Sequence, residues 1–181
     1  MYCITIQHKK VYEYLMKHGT YKASMSNVSD ILRKPYKFMM KEFNWESCPI
    51  FLAPVGHYVE FGGAKFDNDS IAIELEVPDE YIKIQRYYDW SDFVYFTDCP
   101  WEFENAFNVD KFPNIESWAK TILDIKDDIA RADSLNDPLQ ATVIELKKEW
   151  IKDTTTNLSK LDDEHNGTGG MSLLERLEKY K

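Results

Sequence analysis

Two carboxylates, Glu74 and Glu76, stand two residues apart in the segment Ile71–Pro78 (IAIELEVP). On a strand that spacing puts both on one face, and paired carboxylates can do acid and base work when burial or repulsion raises the pKa of one. The plainer reading, which we adopt, is the solvated face of a strand whose other side buries Ile71, Ile73, Leu75 and Val77. A second set, Lys34, Lys37 and Lys41, recurs at spacings of three and four and so shares one helix face, beside Tyr36 and Phe38, whose rings can stack on an unpaired base. A solvated face above a core of Phe38, Met39 and Phe43 explains that pattern as well. The four histidines His8, His18, His57 and His165 are scattered. The mixed clusters Asp67-Asn68-Asp69 and Asp162-Asp163-Glu164-His165 fall in loop sequence, where turn formation accounts for them, so no metal is assigned. Cys3, Cys48 and Cys99 are far apart, odd in number and outside any CxxC spacing, which fits reduced, buried thiols. There is no P-loop, GxGxxG, GxSxG or HExxH, and no cofactor is assigned.

The elements that must carry these residues are legible in part. Tyr2–Gln7 (YCITIQ) has the β-branched character of a strand and feeds a helix over 8–18, with Val11, Tyr14, Leu15 and His18 at helical spacing and Gly19 as its C-cap. Ser26 or Asn27 caps a second helix through Val28, Ile31 and Leu32, and Pro35 predicts that a new helix opens at Lys34. Short strands are expected at 50–54 and 57–61, a turn at Gly62-Gly63, and the clearest strand at 70–77. Pro78 ends that strand, and 81–85 returns as a short strand or helical turn. The aromatic block from Tyr87 to Phe107, broken by Asp98-Cys99-Pro100, predicts two short helices or a helix and a loop packed over the sheet. A helix is expected over 117–131, then a strand over 140–146 that includes Glu145, and a last pairing segment around Trp150-Ile151.

At 181 residues the chain suits one domain, and an apolar fraction of 44% with 14% aromatic residues excludes a disordered chain. The expected fold class is α+β: a single mixed, mostly antiparallel sheet with packed helices over 1–153. A polar flexible linker over 154–170 and a short amphipathic C-terminal helix over 171–181, carrying Leu173, Leu174 and Leu177, complete the chain. No run approaches the roughly 20 apolar residues of a membrane span, and no signal-peptide pattern opens the chain, so a cytoplasmic protein without a membrane partner is expected. The net charge of −9 argues against general nucleic-acid binding. It is unevenly distributed: residues 1–44 hold eight basic side chains against three acidic, and residues 60–110 hold thirteen acidic against three basic.

Four short signatures in fixed order, Thr5-Ile6-Gln7, Lys34-Pro35-Tyr36, IAIELEVP at 71–78 and QATVIELKKEW at 140–150, resemble the bacterial and phage family called domain of unknown function 3841. That resemblance implies a phage or mobile-element setting. Strand, helix and Gly at 5–19, the ELEVP strand at 74–78 and a late strand led by Gln140 are also similar to the layout of ADP-ribosyltransferase-like domains, which bind NAD or phosphorylated RNA ends. The likeness implies that a polar first-strand residue, Thr5 or Gln7, and a ring hold the nicotinamide or ribose, and that an acid on the late strand steadies a cationic ribose. This chain has neither His nor Arg within the expected first strand, Tyr2–Gln7, and has Thr142 where that acid belongs, with Glu145 as the late strand's only carboxylate, which argues for a binding cleft over simple NAD-dependent transfer. Two functions are expected. In the first, an acidic protein binds and inhibits or alters a host nucleic-acid-handling complex, a protein or ribonucleoprotein of the defence type, through Asp89, Asp92, Glu102 and Glu104, its carboxylates imitating phosphates. In the second, a small nucleotide-binding or RNA-processing enzyme uses Thr5, Gln7, Tyr36 and Trp90 for a nucleotide or RNA ligand, with Gln140 and Glu145 as catalytic candidates.

Overall fold

The β-branched run Ile4-Thr5-Ile6 stiffens the first strand, β1 (Tyr2–His8), and the His8 side chain then accepts a hydrogen bond from the Lys10 amide to start α1 (Lys9–His18). Gly19 closes that helix at φ 84°, a left-handed position that glycine takes without strain, and its amide returns to the Leu15 carbonyl. The computed structural model describes residues 1–54, 69–106, 111–126 and 139–155, with 104–106 as backbone only. The expected strand at 57–61, the turn at 62–63, and the segments 156–170 and 171–181 lie outside the described residues.

Beyond α1 the described elements are β2 (Thr20–Tyr21), α2 (Asp30–Phe43), β3 (Ile50–Pro54), β4 (Ser70–Glu76), β5 (Lys83–Arg86), α3 (Tyr87–Asp98), α4 (Pro100–Ala106), α5 (Ile115–Ile122), β6 (Leu139–Val143), β7 (Leu146–Lys147) and β8 (Ile151–Thr155). Six strands form one sheet in the order β5-β6-β3-β1-β4-β8, every described pairing antiparallel, and β2 with β7 makes a separate ribbon. This is an α+β fold, and its sheet runs through Thr155, which pairs with Ala72, so residues 154 and 155 belong to β8 and not to the linker expected over 154–170. Among the described residues no helix is long and apolar enough to cross a membrane.

Three local expectations give way to tertiary structure. Pro35 does not open a new helix; it sits inside α2, where the missing amide costs one backbone bond, and the helix continues because Pro35, Phe38 and Met39 are all buried. The helix expected over 117–131 starts earlier, where Asn114 and Ser117 form a reciprocal cap, and ends at Ile122. The chain then leaves helical geometry to reach the edge of β5: the Ile125 amide donates to the Ile84 carbonyl at 2.8 Å, and Asp124 takes Lys83 Nζ at 2.7 Å. The strand expected over 140–146 stops at Val143, which places Glu145 in the turn before β7.

Alternation along β3 divides the core. Ile50 and Leu52 join Leu15 of α1, Ile73 and Leu75 of β4 and Ala141 and Val143 of β6 on one side of the sheet. Phe51 faces the other side, where Phe38 and Met39 of α2, Trp90 and Phe93 of α3 and Trp118 of α5 form a mostly aromatic layer.

Candidate functional site

β1 pairs with β4 along its whole length, from Tyr2 opposite Glu76 to His8 opposite Ser70, but with β3 at only two positions, Cys3 with Pro54 and Ile4 with Ala53. Past Ile4 the two strands part. Thr5 Oγ1 takes over as the link, donating to the Phe51 carbonyl at 3.0 Å and accepting from Gln7 Nε2 at 2.8 Å. The opening is a cleft of about 720 Å³, a volume typical of small-molecule sites. Ile4, Thr5, Ile6 and Gln7 all line it. Successive residues of an unbroken sheet face opposite sides, so four in a row can border one space only where the sheet itself has split.

The start of α2 supplies one wall through Val28, Ser29, Leu32 and Tyr36, and α3 supplies another through Tyr87, Trp90, Ser91 and Val94. Ile50 and Phe51 of β3, Leu139 and Gln140 of β6, and Cys48 just before β3 also line it. Tyr36, Phe51 and Trp90 touch one another at ring-centroid separations of 5.6 Å, 6.2 Å and 5.2 Å, all tilted, which gives the cleft an aromatic wall. Among the described residues none that lines it is Lys, Arg, Asp or Glu. Burial, with Cys48 nearby, pushes the Tyr36 phenol up to about 12, and burial pushes the Tyr21 phenol and the Cys48 thiol up as well, so these three stay neutral near pH 7. Tyr36 is therefore a hydrogen-bond donor, and Cys48 is a poor nucleophile.

Gln140 lies on β6 and is 8% exposed, with its Nε2 buried and without a hydrogen-bond partner. A buried amide nitrogen left unpaired is costly in a finished fold, which marks this donor as available to something that enters the cleft.

Five of the residues singled out in the sequence, Thr5, Gln7, Tyr36, Trp90 and Gln140, thus border one cleft although they come from β1, α2, α3 and β6. Glu145 does not line it; its carboxylate faces Lys147 at 3.6 Å and Lys22 at 4.0 Å. Thr142 is fully buried and accepts from Gln85 Nε2, also away from the cleft lining. Glu76 pairs with Lys152, and that bond holds its carboxyl below the usual range, the opposite of what a general acid needs. Lys34, Lys37 and Lys41 are exposed above buried Phe38 and Met39, as a solvated helix face would be. Of the acidic set, Asp89 lies 3.9 Å from Arg86, Asp92 is exposed although desolvation pushes its carboxyl up, Glu102 is half-buried on α4, and the side chain of Glu104 is outside the described ones.

No family model matches the chain, and neither a curated protein nor a solved structure matches it. The chemistry of the cleft is therefore the basis for a functional reading. Sequence reasoning missed Phe51, Cys48 and Gln85. Phe51 carries no signal beyond its place in an apolar strand. Gln85, a lone amide between Ile84 and Arg86 at 0% exposure, is the kind of buried polar residue that a strand pattern can flag.

Proposed function

We propose that the chain is a cytoplasmic nucleotide-binding domain of ADP-ribosyltransferase-like layout, whose cleft between β1 and β3 takes the uncharged base-and-ribose end of a nucleotide. The observation that carries this is the convergence of Thr5, Gln7 and Gln140, from two strands that are not neighbours, on one neutral cleft walled by Tyr36, Phe51 and Trp90. Rings of this kind hold planar bases by stacking at about 1–3 kcal/mol per base, while hydroxyls and amides fix orientation without demanding a charged partner. Among the described residues no carboxylate lines the cleft, so what they offer a ligand is neutral hydrogen bonding and ring stacking.

The test is thermal unfolding of the purified chain against NAD, nucleosides, linear and cyclic nucleotides and short structured RNA. A ligand at a hundred times its Kd adds about 2.7 kcal/mol, which for a chain of this size raises the melting temperature by roughly 5–10 °C. Gln140→Ala should remove most of the shift, and a flat response to the whole panel discards the proposal.

A second reading rests on another surface. Tyr88, Tyr95 and Trp101 are 47%, 51% and 61% exposed, and Asp92 falls between the two tyrosines on the same face of α3, with Glu102 following on α4. An acidic face studded with aromatic rings suits a basic partner, such as the nucleic-acid channel of a host defence complex. Reversing Asp92 and Glu102 to Lys should abolish capture of such a partner from bacterial lysate at an unchanged melting temperature. Undiminished capture by the reversed variant rejects it.

A further inference from the structure

Gln85 and Gln140 stand opposite each other in the β5–β6 ladder, and each leaves one buried amide atom without a partner: Oε1 on Gln85 and Nε2 on Gln140. Residues paired in this way project from the same face, with Cβ atoms roughly 4.5–5.5 Å apart. An acceptor lacking a donor therefore neighbours a donor lacking an acceptor.

The two side chains differ in freedom. Gln85 is 0% exposed, and its Nε2 donates to the Leu123 carbonyl at 2.6 Å and to Thr142 Oγ1 at 3.0 Å. A backbone carbonyl only accepts, so the nitrogen must face Leu123 and the amide cannot be turned over. Its Oε1 is thereby fixed in place. Gln140 borders the cleft, and its terminal torsion, like that of any glutamine, is broad and weakly restrained.

We propose that Gln85 is a positioning residue for the cleft. Neither atom is paired in the structure, so the Gln140 amide must turn to close the bond: the fixed Oε1 then accepts one Gln140 N–H, and that bond aims the second N–H into the cleft, where it donates to a carbonyl oxygen or ring nitrogen of the ligand. A primary amide nitrogen carries two donors and no acceptor, so the part of the ligand that reaches Gln140 must be an acceptor. A group that can only donate is rejected, because it leaves two buried donors facing each other. The ligand half of this inference rests on the nucleotide reading above; the pairing of Gln140 with Gln85 does not depend on it.

The experiment has two arms. In isotope-labelled free protein, nuclear magnetic resonance should show a through-hydrogen-bond coupling between Gln140 Nε2 and the Gln85 side-chain carbonyl carbon. One Gln140 amide proton should exchange slowly, and Gln85→Met should abolish that protection. In the second arm, NAD affinity is measured calorimetrically for wild type, Gln85→Met, Gln140→Met and the double variant. Gln85→Met should weaken NAD about tenfold, the equivalent of one lost neutral hydrogen bond, and should add nothing in the Gln140→Met background. A residue acting only through general stability would weaken binding in both backgrounds, and that result overturns the proposal. Absence of the coupling, with both Gln140 protons exchanging fast, overturns it whatever NAD does. Should Gln85→Met fail to fold, the coupling in the unmodified protein decides the matter. A coupling present while neither NAD nor any other member of the nucleotide panel binds wild type sinks the nucleotide reading and leaves the Gln85 anchor standing.

Discussion

Replacing Thr5 by valine tests the feature that makes the cleft. Thr5 is 2% exposed and sits where β1 leaves β3, and its hydroxyl is the described link across the gap. Valine keeps the shape and β-branching of threonine but removes two hydrogen bonds, the one to the Phe51 carbonyl and the one from Gln7 Nε2. Gln7 is half-buried and can return to water, so its loss is small. The Phe51 carbonyl loses a donor in a part-buried setting, and the two effects together are worth about 2 kcal/mol. For a chain of this size that is a fall of about 4–8 °C in melting temperature. Thr5→Ser is the control: it keeps the hydroxyl and deletes one buried methyl, at about 1 kcal/mol. Unfolding in urea, followed by circular dichroism, gives both values from midpoint and slope. Valine should be the more damaging substitution. If Thr5→Val is as stable as wild type, or more stable than Thr5→Ser, the hydroxyl does not bridge the strands and the account of the cleft is wrong.

Cys48 borders the cleft with its thiol pushed up by burial, so its thiolate fraction at pH 7.5 should be below that of an ordinary thiol and should grow only at higher pH. Iodoacetamide followed by mass spectrometry should therefore modify the less buried Cys99 first, and a bound nucleotide should slow Cys48 further; faster labelling of Cys48 at pH 7.5 contradicts the geometry. Glu145→Ala should leave ligand binding unchanged and cost less than about 1 kcal/mol, since its ion pairs are long and partly solvated; loss of binding on calorimetry would return Glu145 to the site. Trp90→Ala should cost about 3–5 kcal/mol, because the ring is 6% exposed and packs on Tyr36, Phe51 and Phe93. Trp90→Phe should restore most of that stability in chemical denaturation, and an equal loss for both would mean that ring contact is not what the site contributes.

Elements whose causes are local were legible along the chain. The β-branched run of β1, Gly19 ending α1, the alternation of β4 and the break at Cys99-Pro100 between α3 and α4 all follow from a residue's own backbone preference or from a short period, and each is where the chain says it should be. The sequence also offered Thr5, Gln7, Tyr36, Trp90 and Gln140 as candidate ligand residues, because their polar or aromatic chemistry is legible one residue at a time. Tertiary structure decided what local rules cannot reach. Pro35 stays inside α2 because its burial outweighs one missing hydrogen bond, α5 stops at Ile122 because Ile125 is claimed by Ile84, and β6 stops at Val143, which removes Glu145 from the strand. Above all, the strand order β5-β6-β3-β1-β4-β8 is a matter of pairing between segments far apart in the chain, and no window of sequence encodes it. The two-position contact of β1 with β3 opens the cleft, and the register of β5 on β6 sets Gln85 against Gln140. A side chain's chemistry is written in its own residue, but which side chains share a space depends on how strands pair, and that is a property of the whole fold.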